Sequence, residues 1–220
     1  MNNNNIQKEY RVLARKYRPQ TFSELIGQEI LVQTVTNAII TNRIAHAYLL
    51  TGVRGVGKTT TARLIAMSIN CEKRKKDSSE PCGNCSSCSS ISNDSNIDVI
   101  EMDAASKTGV DDIREIIDNV KYRPVNCKYK IFIIDEVHML SKNAFNALLN
   151  TLEEHTEHIK FIFATTEVKK IPVTIISRCQ RFDLRRIDDN SLKQQLELIA
   201  KKENIKIEAD AISLIVRASE

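Results

Sequence analysis

Four short apolar runs separated by longer amphipathic stretches set the pattern of the chain. The runs are 46–51 (HAYLLT), 97–102 (IDVIEM), 130–135 (KIFIID) and 160–164 (KFIFA). Each has strand length, and the last two are continuous rather than alternating, as expected of strands covered on both faces. Between the runs, apolar positions move to helical spacing. Ala62, Ile65 and Ala66 share one face of 60–70, and Val110, Ile113, Ile117 and Val120 share another after the second run. Phe145, Leu148, Leu149 and Leu152 line a third behind Ser141, which reads as a helix N-cap. Strand and helix therefore alternate, which predicts an α/β fold built on a parallel sheet. Two more amphipathic segments, about 191–203 and 208–219, follow the last run, and no internal repeat is present.

A chain of 220 residues can hold one such domain with a sizeable core and a smaller second piece. Its net charge of +4 suits a nucleic-acid partner without requiring one. No apolar run approaches the roughly 18 residues that mark a membrane span. The opening MNNNNIQKEYR lacks the apolar core of a signal peptide. A cytoplasmic protein without membrane contact is expected.

Chemistry enters at 52–60, GVRGVGKTT. Gly52, Gly57, Lys58 and Thr59 stand at the fixed positions of a phosphate-binding loop, with Gly55 between them. Such a loop turns its backbone amides toward one point, where they cradle the β-phosphate of a nucleotide. Lys58 would reach the β- and γ-phosphates, and the Thr59 hydroxyl would ligate Mg²⁺. Val53, Arg54, Val56 and Thr60 complete the segment. A predicted strand precedes it and a predicted helix follows it, which is the context the pattern requires.

Four of the six cysteines cluster as Cys71, Cys82, Cys85 and Cys88 in a stretch too polar to build a core. Four thiolates around one tetrahedral Zn²⁺ would order it. Disulfides suit a reducing cytosol poorly. An iron–sulfur cluster is the alternative, disfavoured because no Cys-Pro follows the run. Four cysteine ligands leave no open position on the metal, so the role expected of it is structural. Cys127 and Cys179 lie apart and read as small core residues.

The run at 130–135 ends in Asp135-Glu136, and in open parallel sheets ligands sit beyond the carboxyl ends of the strands. Asp135 suits Mg²⁺ ligation, and Glu136 suits activation of a water for attack on a γ-phosphate. Asp135-Glu136-Val137-His138 also spells the DExH box of a helicase, which would need a second motor domain that 220 residues do not accommodate. Downstream, Thr165-Thr166 at a strand end could sense the γ-phosphate, and Arg178 could serve as an arginine finger or as half of a surface salt bridge.

The ordered set LARKYRPQTFSELIGQ (13–28), GVRGVGKT, the four-cysteine insert, DAASKTGVDDIRE, IDEVHMLSKNAFNALLNTLEE and ATTEVKKIPVTIISRC is similar to the gamma/tau family of bacterial DNA polymerase III. Members of that family are the ATPase motors of the clamp loader and belong to the AAA+ class. The resemblance runs from about residue 10 to residue 220. It implies a phosphate-loop core over 1–180 with a five-stranded parallel sheet flanked by helices, a zinc-binding insert at 71–90, and the start of a small helical lid over 181–220. It further implies that 52–60 bind ATP or ADP, that Thr59 and Asp135 hold Mg²⁺, and that Glu136 activates water. Thr166, beside Thr165, takes the first sensor position. Arg178 of Ser177-Arg178-Cys179 takes the position of the finger that completes a neighbouring subunit's ATP site. Ala14, Tyr17, Pro19 and Ile26 correspond to the adenine-side wall.

The partners so implied are other loader subunits and copies of the same chain, the sliding clamp, and primed DNA. Polymerase core and helicase would be reached through regions this chain does not include. Family members continue into the rest of the lid, with a second sensor arginine, and into a collar used for oligomerisation. The chain stops at 220, so a truncated form that still binds nucleotide is expected. His155-Thr156 departs from the family pattern, and only a changed turn is expected there. Two rival readings are a DExH helicase and a non-hydrolysing scaffold of the same assembly.

Overall fold

The computed structural model describes residues 12–107, 110–154 and 156–219. In chain order the helices are α1 (Leu13–Lys16), α2 (Glu29–Ile40), α3 (Lys58–Asn70), α4 (Ser86–Ser92), α5 (Val110–Val120), α6 (Lys142–Glu153), α7 (Val173–Ile176), α8 (Asp189–Lys202) and α9 (Ala209–Ala218). The strands are β1 (Ala47–Thr51), β2 (Val99–Asp103), β3 (Lys130–Asp135), β4 (Ile159–Thr165) and β5 (Gln180–Asp183). Short 3-10 turns precede α2, α6 and α7.

Among the described residues the five strands form one sheet in the order β2-β3-β4-β1-β5, and every neighbouring pair is parallel. The chain starts inside the sheet at β1, crosses to the far edge at β2, returns through β3 and β4, and passes β1 to add β5. The loops after β1, β4 and β3 therefore leave the same end of the sheet side by side.

Alternation along the apolar runs explains why both faces are covered. Tyr48, Leu50, Ile131, Ile133, Ile162 and Ala164 point into one core, against α2, α3 and α4. Ala47, Leu49, Phe132, Ile134, Phe161 and Phe163 point into the other, against α5, α6 and α7. Each leucine, isoleucine or phenylalanine so removed from water contributes about 1.5 to 3 kcal/mol. Ser141 caps α6 as its sequence context predicts, its side chain accepting from the Ala144 N–H at 3.2 Å.

Helix α3 is the hub of the first core and is buried on nearly every side. Its Arg63 binds Glu101 of β2 at 2.7 and 2.9 Å and Asp94, beyond α4, at 2.7 Å, with only 11% of the side chain exposed. Replacing Arg63 by leucine should leave the Glu101 carboxylate without its donor. The expected cost is about 2 kcal/mol, read as a melting point lower by roughly 4–8 °C. An unchanged melting curve would show that the pairing is idle.

The described residues divide into two compact units. One spans Gln20–Asp188 and holds the sheet, and the other joins residues 12–19 to 189–219. The expected boundary at 180 falls on the first residue of β5, a strand that pairs with β1 and so belongs with the sheet. In the smaller unit, Ala200, Ile212 and Val216 are buried, and Tyr17 donates to the Glu203 carboxylate. Among the described residues no helix is long and apolar enough to cross a membrane.

Candidate functional site

The glycine loop joins the end of β1 to the first residue of α3. Gly57 holds φ at 100°, a left-handed conformation that a side chain would strain. At Gly52, with φ of 149°, a Cβ would come within 3.0 Å of the Leu184 carbonyl and of Val56 Cγ1. Helix α3 begins directly behind Gly57, with no side-chain cap and no acidic residue in its first turn. Its first N–H groups are thus left to an external acceptor, and the helix dipole favours an anion there. Val53, Arg54 and Gly55 form the exposed crest, while Val56, Thr59 and Thr60 are half-buried beneath it.

Lys58 is buried, and its ammonium arches back to donate to the Gly52 carbonyl at 2.9 Å and the Val53 carbonyl at 3.0 Å. Burial lowers its pKa, against the opposing pull of the Glu136 and Asp135 carboxylates. Thr59 Oγ1 donates to Asp135 Oδ2 at 2.5 Å, which ties the loop to the end of β3. A hydroxyl and a carboxylate side by side suit Mg²⁺, which takes few protein oxygens and completes its shell with phosphate and water.

Glu136 adopts φ 47° and ψ 42°, a left-handed conformation that costs a residue with a side chain about 1–2 kcal/mol. The turn directs its carboxylate across to β4. There Glu136 Oε2 accepts from the Thr166 N–H at 3.2 Å and from the Thr166 hydroxyl at 3.0 Å. His138 joins the group with a side chain only 6% exposed. Its Nδ1 lies 3.0 Å from Thr165 Oγ1 and 3.3 Å from Glu136 Oε2, and its Nε2 lies 3.4 Å from Glu167 Oε1. Lys170, 2.8 Å from Glu167, holds that carboxyl below its usual pKa.

Arg178 follows α7 and lies at the surface. It donates to Glu153 at 2.6 Å and to the Thr174 carbonyl at 2.7 Å, and to no residue of the glycine loop. The surface salt bridge weighed from the sequence is thus present.

The cysteine module begins where α3 ends, at Cys71. The four sulfurs of Cys71, Cys82, Cys85 and Cys88 all lie within 4.8 Å of one another. A tetrahedron of roughly 2.3 Å metal–sulfur bonds places its sulfurs about 3.8 Å apart, so the donor set fits. Backbone N–H groups point at the sulfurs, from Cys82 to Cys71 at 3.3 Å, from Cys85 to Cys82 at 3.3 Å and from Cys88 to Cys85 at 3.4 Å. The Asn84 N–H is foremost in pulling the Cys82 thiol down to about 6. Burial pushes Cys71 and Cys88 up, and a divalent cation is the charge that would let all four ionise. Glu80, inside the same insert, accepts from the backbone N–H groups of Phe22 at 2.7 Å and Ser23 at 2.9 Å, so the module braces the segment entering α2. Cys127 borders the module, 3.7 Å from Ser87 Oγ, rather than filling the core. Cys179 packs against the second core, where burial raises its thiol to about 12.

Residues 27–188 match the protein-family model described as DNA polymerase III, delta subunit. The chain belongs to that family. Within it, the gamma/tau resemblance is borne out. The chain is 50% identical over 211 residues to DNA polymerase III subunit tau of Escherichia coli (strain K12), which covers 96% of this chain and 32% of that protein. It is 49% identical to subunit tau of Bacillus subtilis (strain 168), covering 96% and 37%. It is 48% identical to subunit gamma of Buchnera aphidicola subsp. Baizongia pistaciae, covering 96% and 56%. The chain thus spans about a third to just over half the length of these relatives. Among solved structures, the RuvB Holliday junction branch migration motor of Thermotoga maritima matches with a TM-score of 0.64 at 21% identity, covering 90% of this chain and 59% of that one. The family member described here therefore has the phosphate-loop AAA+ fold.

Of the adenine-side candidates in this DNA polymerase III family member, Ala14 lies in α1, Tyr17 just after it and Pro19 at the end of residues 12–19. Ile26 lies in the sheet-bearing unit, ahead of α2. Thr108 and Gly109, which carry part of the resemblance, and His155, where the chain departs from it, lie outside the described residues. His138 and Glu167 were missed as site residues. The DEVH letters were the one available signal, and they do not reveal that β3 and β4 are neighbours.

Proposed function

We propose that this chain is the ATP-binding and ATP-hydrolysing motor of a bacterial clamp loader, which places a sliding clamp on primed DNA. The observation carrying the reading is the convergence, at the ends of β1, β4 and β3, of Lys58 and Thr59 with Asp135 and of Glu136 with Thr166, in a chain about half identical to gamma/tau subunits. Lys58 and the amides of 52–60 hold the phosphates of ATP or ADP. Thr59 and Asp135 would hold Mg²⁺, which neutralises charge on the phosphates. Glu136 orients and deprotonates the attacking water. Thr166 reads the γ-phosphate on one side, and Arg178 of a neighbouring subunit reads it on the other. Cys71, Cys82, Cys85 and Cys88 would hold structural Zn²⁺, which cross-links the insert.

ATP sits at the seam between subunits, favours the arrangement that grips an open clamp, and is hydrolysed when primed DNA arrives. The partners are other loader subunits, copies of this chain, the clamp, primed DNA, and through regions beyond this chain the polymerase core and helicase. The setting is the cytoplasm, at the nucleoid. Membership of a DNA polymerase III family favours this reading over the DExH helicase. The paired carboxylates and the intact loop favour it over a non-hydrolysing scaffold.

Lys58→Ala tests the site. Loss of a buried charge-assisted contact of about 3 kcal/mol weakens ATP binding by roughly a hundred-fold. Titration with a fluorescent ATP analogue measures it, and wild-type affinity in the variant would sink the assignment.

A further inference from the structure

His138 has no task in the proposed chemistry, yet its buried ring lies between the two strand ends that carry that chemistry. We propose that His138 is a positioning residue for ATP hydrolysis, holding the Glu136 carboxylate so that one oxygen is anchored and the other faces the attacking water. The inference rests on Glu136 being the water-activating base.

The geometry is one-sided. The Thr166 N–H, the Thr166 hydroxyl and His138 Nδ1 all lie at Glu136 Oε2, at 3.2, 3.0 and 3.3 Å. Oε1 accepts from none of the described residues. A carboxylate on a flexible stem, rooted in a left-handed backbone, would otherwise sample several rotamers. Anchoring Oε2 at these groups selects one rotamer and leaves Oε1 for the attacking water.

The ring is itself held. Thr165 Oγ1 lies 3.0 Å from Nδ1 and is buried at the end of β4, and Glu167 Oε1 lies 3.4 Å from Nε2. Nδ1 is hydrogen-bonded to Thr165 Oγ1, and Glu136 Oε2 lies 3.3 Å from the same nitrogen, so the ring sits against both oxygens. Thr165 also accepts from the Glu167 N–H at 3.0 Å, so the turn carrying Glu167 is tied to the same point. His138 thus joins the end of β3 to the end of β4 through Thr165, beside the direct contact of Thr166 with Glu136.

Steady-state ATP hydrolysis by the reconstituted loader, with clamp and primed DNA, tests the idea. His138→Leu should lower kcat by about ten- to a hundred-fold, the cost of a misplaced catalytic group, with KM and ATP affinity unchanged. His138→Asn, whose amide reaches the Nδ1 position, should recover most of kcat, whereas His138→Gln, which reaches only the Nε2 position, should not. Wild-type kcat in His138→Leu, a loss confined to KM, or equal losses in the Leu and Asn variants would each overturn the proposal. Glu136→Gln is run in parallel. Normal turnover in that variant would remove the base itself, a failure of the functional reading distinct from a failure at His138.

Discussion

In a reconstituted loader, Arg178→Ala is expected to lower ATP turnover by about 10³- to 10⁵-fold while leaving ATP binding intact, the effect of removing an arginine supplied in trans. Within its own chain, the Arg178 side chain engages only Glu153 and the Thr174 carbonyl among the described residues. The pair is exposed on both sides, and such pairs contribute about 0–1 kcal/mol, so the variant should fold and melt like the parent. Loss of turnover could then not be blamed on folding. By the same logic the chain alone should hydrolyse ATP slowly, because the transition-state charge lacks its second cation. Phosphate release by the assembled loader, set beside nucleotide titration, measures both halves. Parental turnover in the variant would dismiss the finger.

Removal of metal from the cysteine module is the second large effect. One zinc per chain is expected by elemental analysis. Stripping it, or substituting Cys88 by alanine, should unfold the insert, because the apparent binding energy of structural zinc is on the order of 10 kcal/mol. The insert has few other supports. Its buried hydrophobic residues are Cys85 and Cys88, packed with neighbouring Ile91 against the side of α3. The damage should spread, since Ser68 of α3 donates to the Ser79 carbonyl and Glu80 holds the backbone at Phe22 and Ser23. A fall in melting point on the order of 10 °C or more is expected on chelation, recovered by added zinc. A protein free of metal with the same melting curve would refute the role.

Local chemistry was legible where spacing alone carries it. The apolar runs mark β1 to β4 to within two residues at each end, and β3 at both ends, because β1, β3 and β4 are buried on both faces and are mostly apolar, while the edge strand β2 still carries Val99, Ile100 and Met102. Strand β5 escaped notice for the opposite reason. It is short and lies at an edge, and Phe182 is its one buried residue, so no run forms. Helix α4 escaped because SSCSSIS contains no helix-forming stretch. It forms where Cys85 caps it, its sulfur accepting from the Cys88 N–H, and where Ile91 finds the first core. Helix α2 carries a legible signal of its own, since Leu31, Val35 and Ile39 repeat at helical spacing and are buried.

The candidate site divides along the same line. Gly52, Lys58, Thr59 and the four cysteines were named from sequence, because a phosphate loop and a tetrahedral donor set are built from residues close along the chain. The pairing of Glu136 with Thr166 crosses thirty positions. It depends on β3 lying beside β4 and on a left-handed turn that no propensity of glutamate predicts. The environment of His138 depends on the same adjacency, and the approach of Asp135 to Thr59 depends on β1 lying on the other side of β4.

The amino-acid order by itself determined the kinds of group present and their local frames: a loop that turns amides toward phosphate, four thiols spaced for one cation, and runs apolar enough to be strands. Only the tertiary structure decided which strand ends became neighbours. Strand order is chosen by how two covered faces bury the most apolar surface with parallel crossovers, and that choice involves the whole chain at once. The meeting of Glu136, Thr166 and His138 is its consequence.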